Sequence, residues 1–250
     1  MLTKLTHLRL HLGWAALVAL ALTSCGGGSG HASSKTTLVA KAGPRGAPSV
    51  VVQVGGTPIS RAAYNHWMTI GAATVEMPKP SGALPKPVTY EPPDFRGCVA
   101  HLRKTVPMST PTVPLRAECR ATYDGIKARI INFLVSGYWL RDEAAEEGIS
   151  VSHDEVKKKF EEERRAHYPT TASFERLLEA SRQTVGDLEF ALETQMLSAK
   201  LLAKFAKEHG DEKNEQAAVA AFNKGVDSKW ILRTTCAPGY VVPDCKQYKP

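Results

Sequence analysis

Cysteines and histidines have the most chemical options in this 250-residue chain, and their spacing limits those options. A thiol can form a disulfide, bind a metal, act as a redox nucleophile or accept a lipid. No C-x-x-C spacing occurs, which disfavours a zinc site and a redox pair. We find no G-x-S-x-G, Gly-rich phosphate loop or H-E-x-x-H motif either. The sequence therefore predicts no catalytic site, metal or cofactor, since its histidines beyond residue 24 are scattered without ligand spacing: His31, His66, His101, His153, His167 and His209.

The first cysteine, Cys25, ends the segment LTSC, which matches the lipobox of bacterial lipoproteins. Lys4 and Arg9 precede an apolar core over 12–22 that is too short to span a bilayer comfortably. We expect residues 1–24 to be a cleaved signal peptide and the Cys25 sulfur to carry diacylglycerol, and the alternative is an ordinary secretory signal with a chance cysteine. Residues 25–48, rich in Gly, Ser, Ala and Pro, predict a flexible tether. The expected location is the extracytoplasmic face of the cell membrane.

The four remaining cysteines are an even number, which in an exported protein indicates disulfides. Their positions suggest two local bridges, Cys98–Cys119 and Cys236–Cys245. Four cysteines allow three pairings, and the sequence alone does not choose among them.

Charge and length indicate one globular domain without a nucleic-acid surface. Removing the signal, with its Lys4 and Arg9, lowers the formal charge from +7 to +5. The remaining charges are interspersed, which is compatible with a position near an anionic membrane but provides no concentrated patch for nucleic acid. About 200 residues remain, enough for one substantial core, and we expect a single domain over 49–250.

The segment 50–73 predicts a strand, a turn and a helix. The β-branched residues of Val50–Val54 favour a strand, Gly55 and Gly56 a turn, and Ser60 can cap the helix that follows. The helix has an apolar face made of Ala63, Tyr64, Trp67, Met68 and Gly71.

The middle of the chain predicts a proline-rich insertion over 76–114 without helix, then several helices. We interpret the insertion as a surface excursion, with a lid or client-contact flap as the less favoured alternative. Helical periodicity covers 115–147, and Gly148 is placed as a helix stop. Ser152 to Glu155 is a capping box that opens a charged, largely solvated helix. Helices are expected over 173–181 and from Thr184 onward, the latter with an apolar stripe of Leu188, Leu192, Met196, Ala199, Leu202 and Phe205.

The C-terminal segment, 207–250, predicts a helix over 214–224 and strands over 229–236 and 239–242. We expect the strand at 230–235 to pair with Val50–Val54, because neither short strand is stable alone.

Two stretches of the sequence resemble the SurA/PrsA-type extracytoplasmic foldases. The first is the opening strand and helix, with Val52, Val54, Gly55, Gly56, Ile59, Ser60, Tyr64 and Trp67. The second runs from Gly148 to Val156 and continues with FERLL at 174–178 and TVGDL at 184–188. The resemblance covers roughly residues 50–206, apart from the insertion. It implies a mainly α, SurA N-terminal-like or trigger-factor-like chaperone module, with a small antiparallel sheet joining N- and C-terminal strands.

The parvulin-type isomerase domain of many such foldases has no counterpart here, because only 44 residues follow Ala206. The resemblance thus implies a non-enzymatic chaperone that binds unfolded exported polypeptides without ATP. The alternatives are an isomerase relative with degenerate or absent activity and a structural lipoprotein that docks one dedicated partner. The residues we expect at the client site are Trp67, Met68, Tyr138, Trp139 and Met196, for most of which core packing is the competing interpretation.

Overall fold

The protein is described by a computed structural model over residues 49–75, 88–209 and 215–249. The predicted signal, Cys25, the tether and the first part of the insertion lie outside the described residues. Within these ranges the protein is mainly helical, with one small three-stranded sheet. In chain order the elements are β1 Val50–Val54, β2 Thr57–Ser60, α1 Arg61–Val75, α2 Arg96–Leu102, α3 Thr112–Glu146, α4 His153–His167, α5 Thr171–Ser181, α6 Val185–His209, α7 Glu215–Ile231 and β3 Thr234–Cys236.

The sheet joins the two ends of the domain, as expected. β1 is central and antiparallel to both neighbours, with Val54 opposite Thr57 on β2 and opposite Thr234 on β3. Gly55 has a φ of +51° at the β1–β2 turn, where a residue with a Cβ would be strained. Val51, Val52 and Val54 are almost wholly buried. The sheet is therefore part of the main core.

The long helix α3 organises the domain. Its 35 residues correspond to about 52 Å of helix. The part from Ile126 onward packs in the main core with β1, α1, α6 and α7. Gly71 permits the close approach of α1, because a Cβ there would lie 2.8 Å from the Ile126 side chain.

Two smaller apolar cores lie beside the main one. The first, which we call the lobe core, is formed by α4, α5 and the start of α6 and contains Val156, Phe160, Phe174, Leu188 and Leu192. The second belongs to what we call the arm, residues 88–124, and contains Val88, Phe95, Cys98 and Cys119.

Several local predictions are confirmed. Ser60 Oγ accepts the Ala63 amide at 3.1 Å, and Ser152 forms a reciprocal capping box with Glu155. Gly148 has a φ of +66° just beyond α3. Both disulfides, Cys98–Cys119 and Cys236–Cys245, are formed.

Four expectations from the sequence are wrong. The insertion contains a helix, α2, because residues 94–106 are free of proline and leave room for two turns. Residues 57–60, between the predicted turn and the first helix, form the strand β2, which the sequence analysis did not predict. Trp230 lies in α7 rather than in a strand, since Phe222, Val226 and Trp230 continue one buried helical face. The segment 239–242 is not a strand.

The predicted stripe of α6 is also wrong in part. Ala199 is exposed, whereas Leu197 and Leu201 are buried in the main core. The helix leaves the lobe core and enters the main core, so its buried face changes along its length.

Candidate functional site: a groove at the C-terminal end of the long helix

A cavity of about 150 Å³ with both apolar and charged walls lies where the end of α3 meets α6 and α7. We call it the groove. Its lining consists of Glu143, Glu147, Leu201, Lys204, Phe205, Glu208, Phe222, Gly225 and Val226.

The apolar part of the groove comes from helical neighbours on two helices. Leu201 and Phe205 are four residues apart on α6, and Phe222 and Val226 are four apart on α7. Such pairs lie on one face of a helix. The Phe205 and Phe222 rings meet edge to face, with centroids 5.7 Å apart. Aromatic and aliphatic surface therefore faces the cavity from both helices.

Gly225 leaves the groove open on the α7 side. A Cβ at this position would meet no atom within 4 Å, so the missing side chain is not required by backbone packing. Glycine inside a helix costs about 1 kcal/mol relative to alanine. A larger side chain at Gly225 can project into the space that the groove provides.

Four of the residues that line the groove are charged, and they form ion pairs with one another or with neighbouring residues. Lys204 bonds to Glu147 and lies 3.1 Å from Glu208, which connects α6 to the end of α3. Lys229 Nζ is 2.6 Å from both Glu143 and Glu146, which connects α7 to the same end. Hydrogen bonds from Lys204 lower the pKa of Glu147. Hydrogen bonds from Lys229 and Arg233 lower the pKa of Glu146.

Glu143 is the most enclosed of these carboxylates. Its side chain is 13% exposed, and Oε2 accepts from both Lys229 Nζ and Trp230 Nε1 at 2.6 Å. A charge with two donors tolerates this burial. Glu143 thus fixes the position of α7 against α3, and with it the width of the groove.

The five residues predicted for client binding do not line the groove. Trp67 is 7% exposed, with its ring centroid 4.6 Å from that of Phe133. Trp139 is 2% exposed and donates to Thr234 Oγ1 at 2.7 Å. Met68 and Tyr138 are half-buried against the main core.

The fifth, Met196, is half-buried against the lobe core. The five are thus divided between two cores, and Trp67 and Trp139 are buried core residues. The groove residues were not recognised from the sequence, although Phe205 belonged to the predicted apolar stripe of α6. The four-residue spacing of Phe222, Val226 and Trp230 is the sequence pattern that could have indicated the apolar face of α7, on which the groove is built.

The described part of the chain contains no other arrangement that indicates a site of known chemistry. No group of three or more possible metal ligands occurs there. None of its helices is long and apolar enough to cross a membrane. No family model, curated protein or solved structure matches the chain.

Proposed function

We propose that the protein is a membrane-anchored, extracytoplasmic chaperone that binds unfolded exported polypeptides without ATP, and that the groove binds their apolar side chains. The observation that carries this proposal is the groove itself, an open cavity between three helices whose lining combines the apolar side chains Leu201, Phe205, Phe222 and Val226 with charged ones. Binding many sequences requires adaptable apolar surface that excludes water and makes few specific polar demands.

The size of the groove suits one side chain at a time. A cavity of about 150 Å³ lined by aliphatic and aromatic groups is large enough for benzene. The groove has this volume, and Leu201, Phe205, Phe222 and Val226 form the apolar part of its lining. A phenylalanine or leucine side chain of an extended polypeptide fits that space, whereas a folded domain does not.

The charged surroundings are compatible with such a ligand. Lys204 and Lys229 already pair with the nearby carboxylates, so an apolar side chain can enter without leaving an unpaired charge buried. The paired charges keep the opening of the groove hydrated and leave the choice of ligand to apolar contact.

The test is binding of a fluorescein-labelled unstructured peptide that contains one phenylalanine, followed by fluorescence anisotropy. Replacing that phenylalanine by alanine should weaken binding about tenfold to a hundredfold, which corresponds to the value of burying such a side chain. In the protein, Gly225→Leu should weaken binding to a similar extent because leucine occupies the groove.

The matched control is Gly125→Leu. Gly125 is exposed and lies inside α3, and a Cβ at this position would likewise meet no atom within 4 Å. Both substitutions remove a helical glycine and add the same side chain, so both should preserve folding. Equal affinity of all three proteins would reject the groove as the binding site. Tight binding of one folded partner, with no affinity for unfolded chains, would favour the docking lipoprotein instead.

A further inference from the structure

A second surface, far from the groove, combines exposed apolar and basic side chains. We call residues 101–116, between the end of α2 and the first turns of α3, the arm tip. Met108 is 90% exposed and Val113 is 76% exposed, which are high values for apolar side chains. Single exposed apolar residues are ordinary, but two at the end of one projecting element merit an explanation.

The arm tip is an ordered structure. The Arg103 guanidinium donates to the carbonyl oxygens of Met108 and Thr110 and to Thr112 Oγ1. The Thr110 amide also donates to the Pro107 carbonyl at 2.9 Å. These bonds fix the loop in a shape that leaves the Met108 side chain in solvent.

The charge of this region has one sign. The arm tip contains three basic side chains, Arg103, Lys104 and Arg116, and no acidic one. Lys104 and Arg116 are exposed, and neither forms an ion pair within the described residues. On α4, by contrast, the basic residues Lys159 and Arg164 pair with glutamates of the same helix. The arm tip therefore presents uncompensated positive charge beside apolar side chains.

The arm tip and the groove lie at opposite ends of α3. Val113 and Glu143 are separated by 30 residues of one helix, or about 45 Å. If Cys25 carries the lipid, the 23 residues of 26–48 connect the anchor to the domain. A Gly- and Ser-rich linker of 23 residues has a root-mean-square span of about 27 Å, so a lipid on Cys25 would keep the domain close to the bilayer.

We propose that the arm tip docks on an anionic lipid surface. Met108 and Val113 enter the headgroup boundary, and Lys104 and Arg116 contact lipid phosphates. Apolar insertion combined with basic residues is the pattern of interfacial membrane contact, and such a contact adds to a covalent lipid anchor. Docking in this orientation points the groove away from the membrane, where exported chains are accessible.

The test uses tryptophan fluorescence of the full chain on vesicles with brominated acyl chains, which quench tryptophan on contact. The described native tryptophans, Trp67, Trp139 and Trp230, are all buried, and the unsubstituted chain in the same vesicles supplies the background. Met108→Trp should be quenched in brominated phosphatidylglycerol vesicles and much less in phosphatidylcholine. The control is Leu232→Trp, because Leu232 is 73% exposed but lies next to α7, away from the arm.

Charge removal separates this docking from nonspecific adsorption. Lys104→Gln with Arg116→Gln, made in the Met108→Trp protein, should weaken the contact about fivefold for each charge removed. Lys157→Gln with Lys158→Gln, which removes the same charge from exposed positions on α4, should leave quenching unchanged. The proposal is overturned if Met108→Trp is not quenched on anionic vesicles, if Leu232→Trp is quenched equally, or if both double variants have the same effect. Protection of Met108→Trp by an unfolded polypeptide alone would also overturn it, by assigning the arm tip to client binding.

Discussion

The two disulfides should stabilise different parts of the protein. Cys98–Cys119 joins α2 to α3 inside the small arm core, whereas Cys236–Cys245 joins β3 to the C-terminal segment in the main core. Replacing each pair by serines therefore tests whether the arm opens independently of the main core.

The length of the loop that each disulfide closes determines how much free energy the disulfide contributes to stability. From the chain-entropy relation, closing a loop with a sequence separation of 21 contributes about 3.3 kcal/mol, and a separation of 9 contributes about 2.6 kcal/mol. If the arm opens alone, loss of its disulfide lowers the free energy of arm opening by about 3.3 kcal/mol. Amide exchange in α2 should then accelerate by about 250-fold, while exchange in β1 stays nearly unchanged.

Native-state hydrogen exchange measures both regions in one experiment. Reporter amides are Arg103, which donates to Val99 in the arm, and Ala237, which donates to Val51 at the sheet. Cys236→Ser with Cys245→Ser should give the reverse pattern, with faster exchange at Ala237. If loss of Cys98–Cys119 accelerates both reporter amides equally, the arm and the main core open as one unit and the division into separate cores is wrong.

Three further predictions concern carboxylates. Glu143→Gln should lower the free energy of unfolding by about 1.5–3 kcal/mol in urea titrations, because it removes the charged acceptor of the buried Trp230 Nε1 and the half-buried Lys229 Nζ. Glu146→Gln, at a more exposed pair, should cost under about 1 kcal/mol. The Ser152 backbone N–H and Lys200 lower the pKa of Glu155 from 4.5 to about 2, so the stability that it contributes is present above pH 4.5 and is lost as the pH falls toward 2. Thermal melts over this range should show a weaker acid dependence for Glu155→Gln, and an unchanged dependence would contradict the capping role. Burial raises the pKa of Asp244 above 3.8, so the folded protein binds a proton at Asp244 more readily than the unfolded chain does, and stability falls as the pH rises through that pKa. Asp244→Asn should therefore raise the melting temperature at pH 7. A lower melting temperature would show that the folded protein needs the charge of Asp244.

Local sequence patterns predicted the structure correctly wherever one residue type has one strong structural role. The valines of β1, the Ser152 capping box and Gly148 as a helix stop all depend on neighbours within a few residues, and the structure has all three. The pairing of β1 with a C-terminal strand could also be predicted from the sequence, because a short isolated strand requires a partner.

The errors arose where tertiary contacts decide the outcome. Proline density suggested that residues 76–114 contain no helix, but burial of Phe95 and Cys98 stabilises α2 between prolines. The β-propensity of Trp230 and Ile231 favoured a strand, but the bond from Trp230 Nε1 to Glu143 extends α7 through them. Neither contact is visible in a local window of sequence.

The groove could not be predicted because its lining is distant in sequence. Glu143, Leu201 and Gly225 come from three helices and meet only after the main core has formed. The large apolar residues singled out in the sequence, Trp67 and Trp139 above all, are the ones that the core buries. Size and hydrophobicity alone therefore indicated the core rather than the accessible apolar surface.

The most direct test of the proposed function is aggregation of an unfolded exported protein, followed by light scattering, in the presence of the chain that begins at Gly26. We expect suppression near equal molar ratio by the unsubstituted protein and by Gly125→Leu, and loss of suppression by Gly225→Leu. Circular dichroism must show that all three are folded. Absence of suppression by the folded, unsubstituted protein would contradict the chaperone proposal, and equal suppression by all three would contradict the groove as its site.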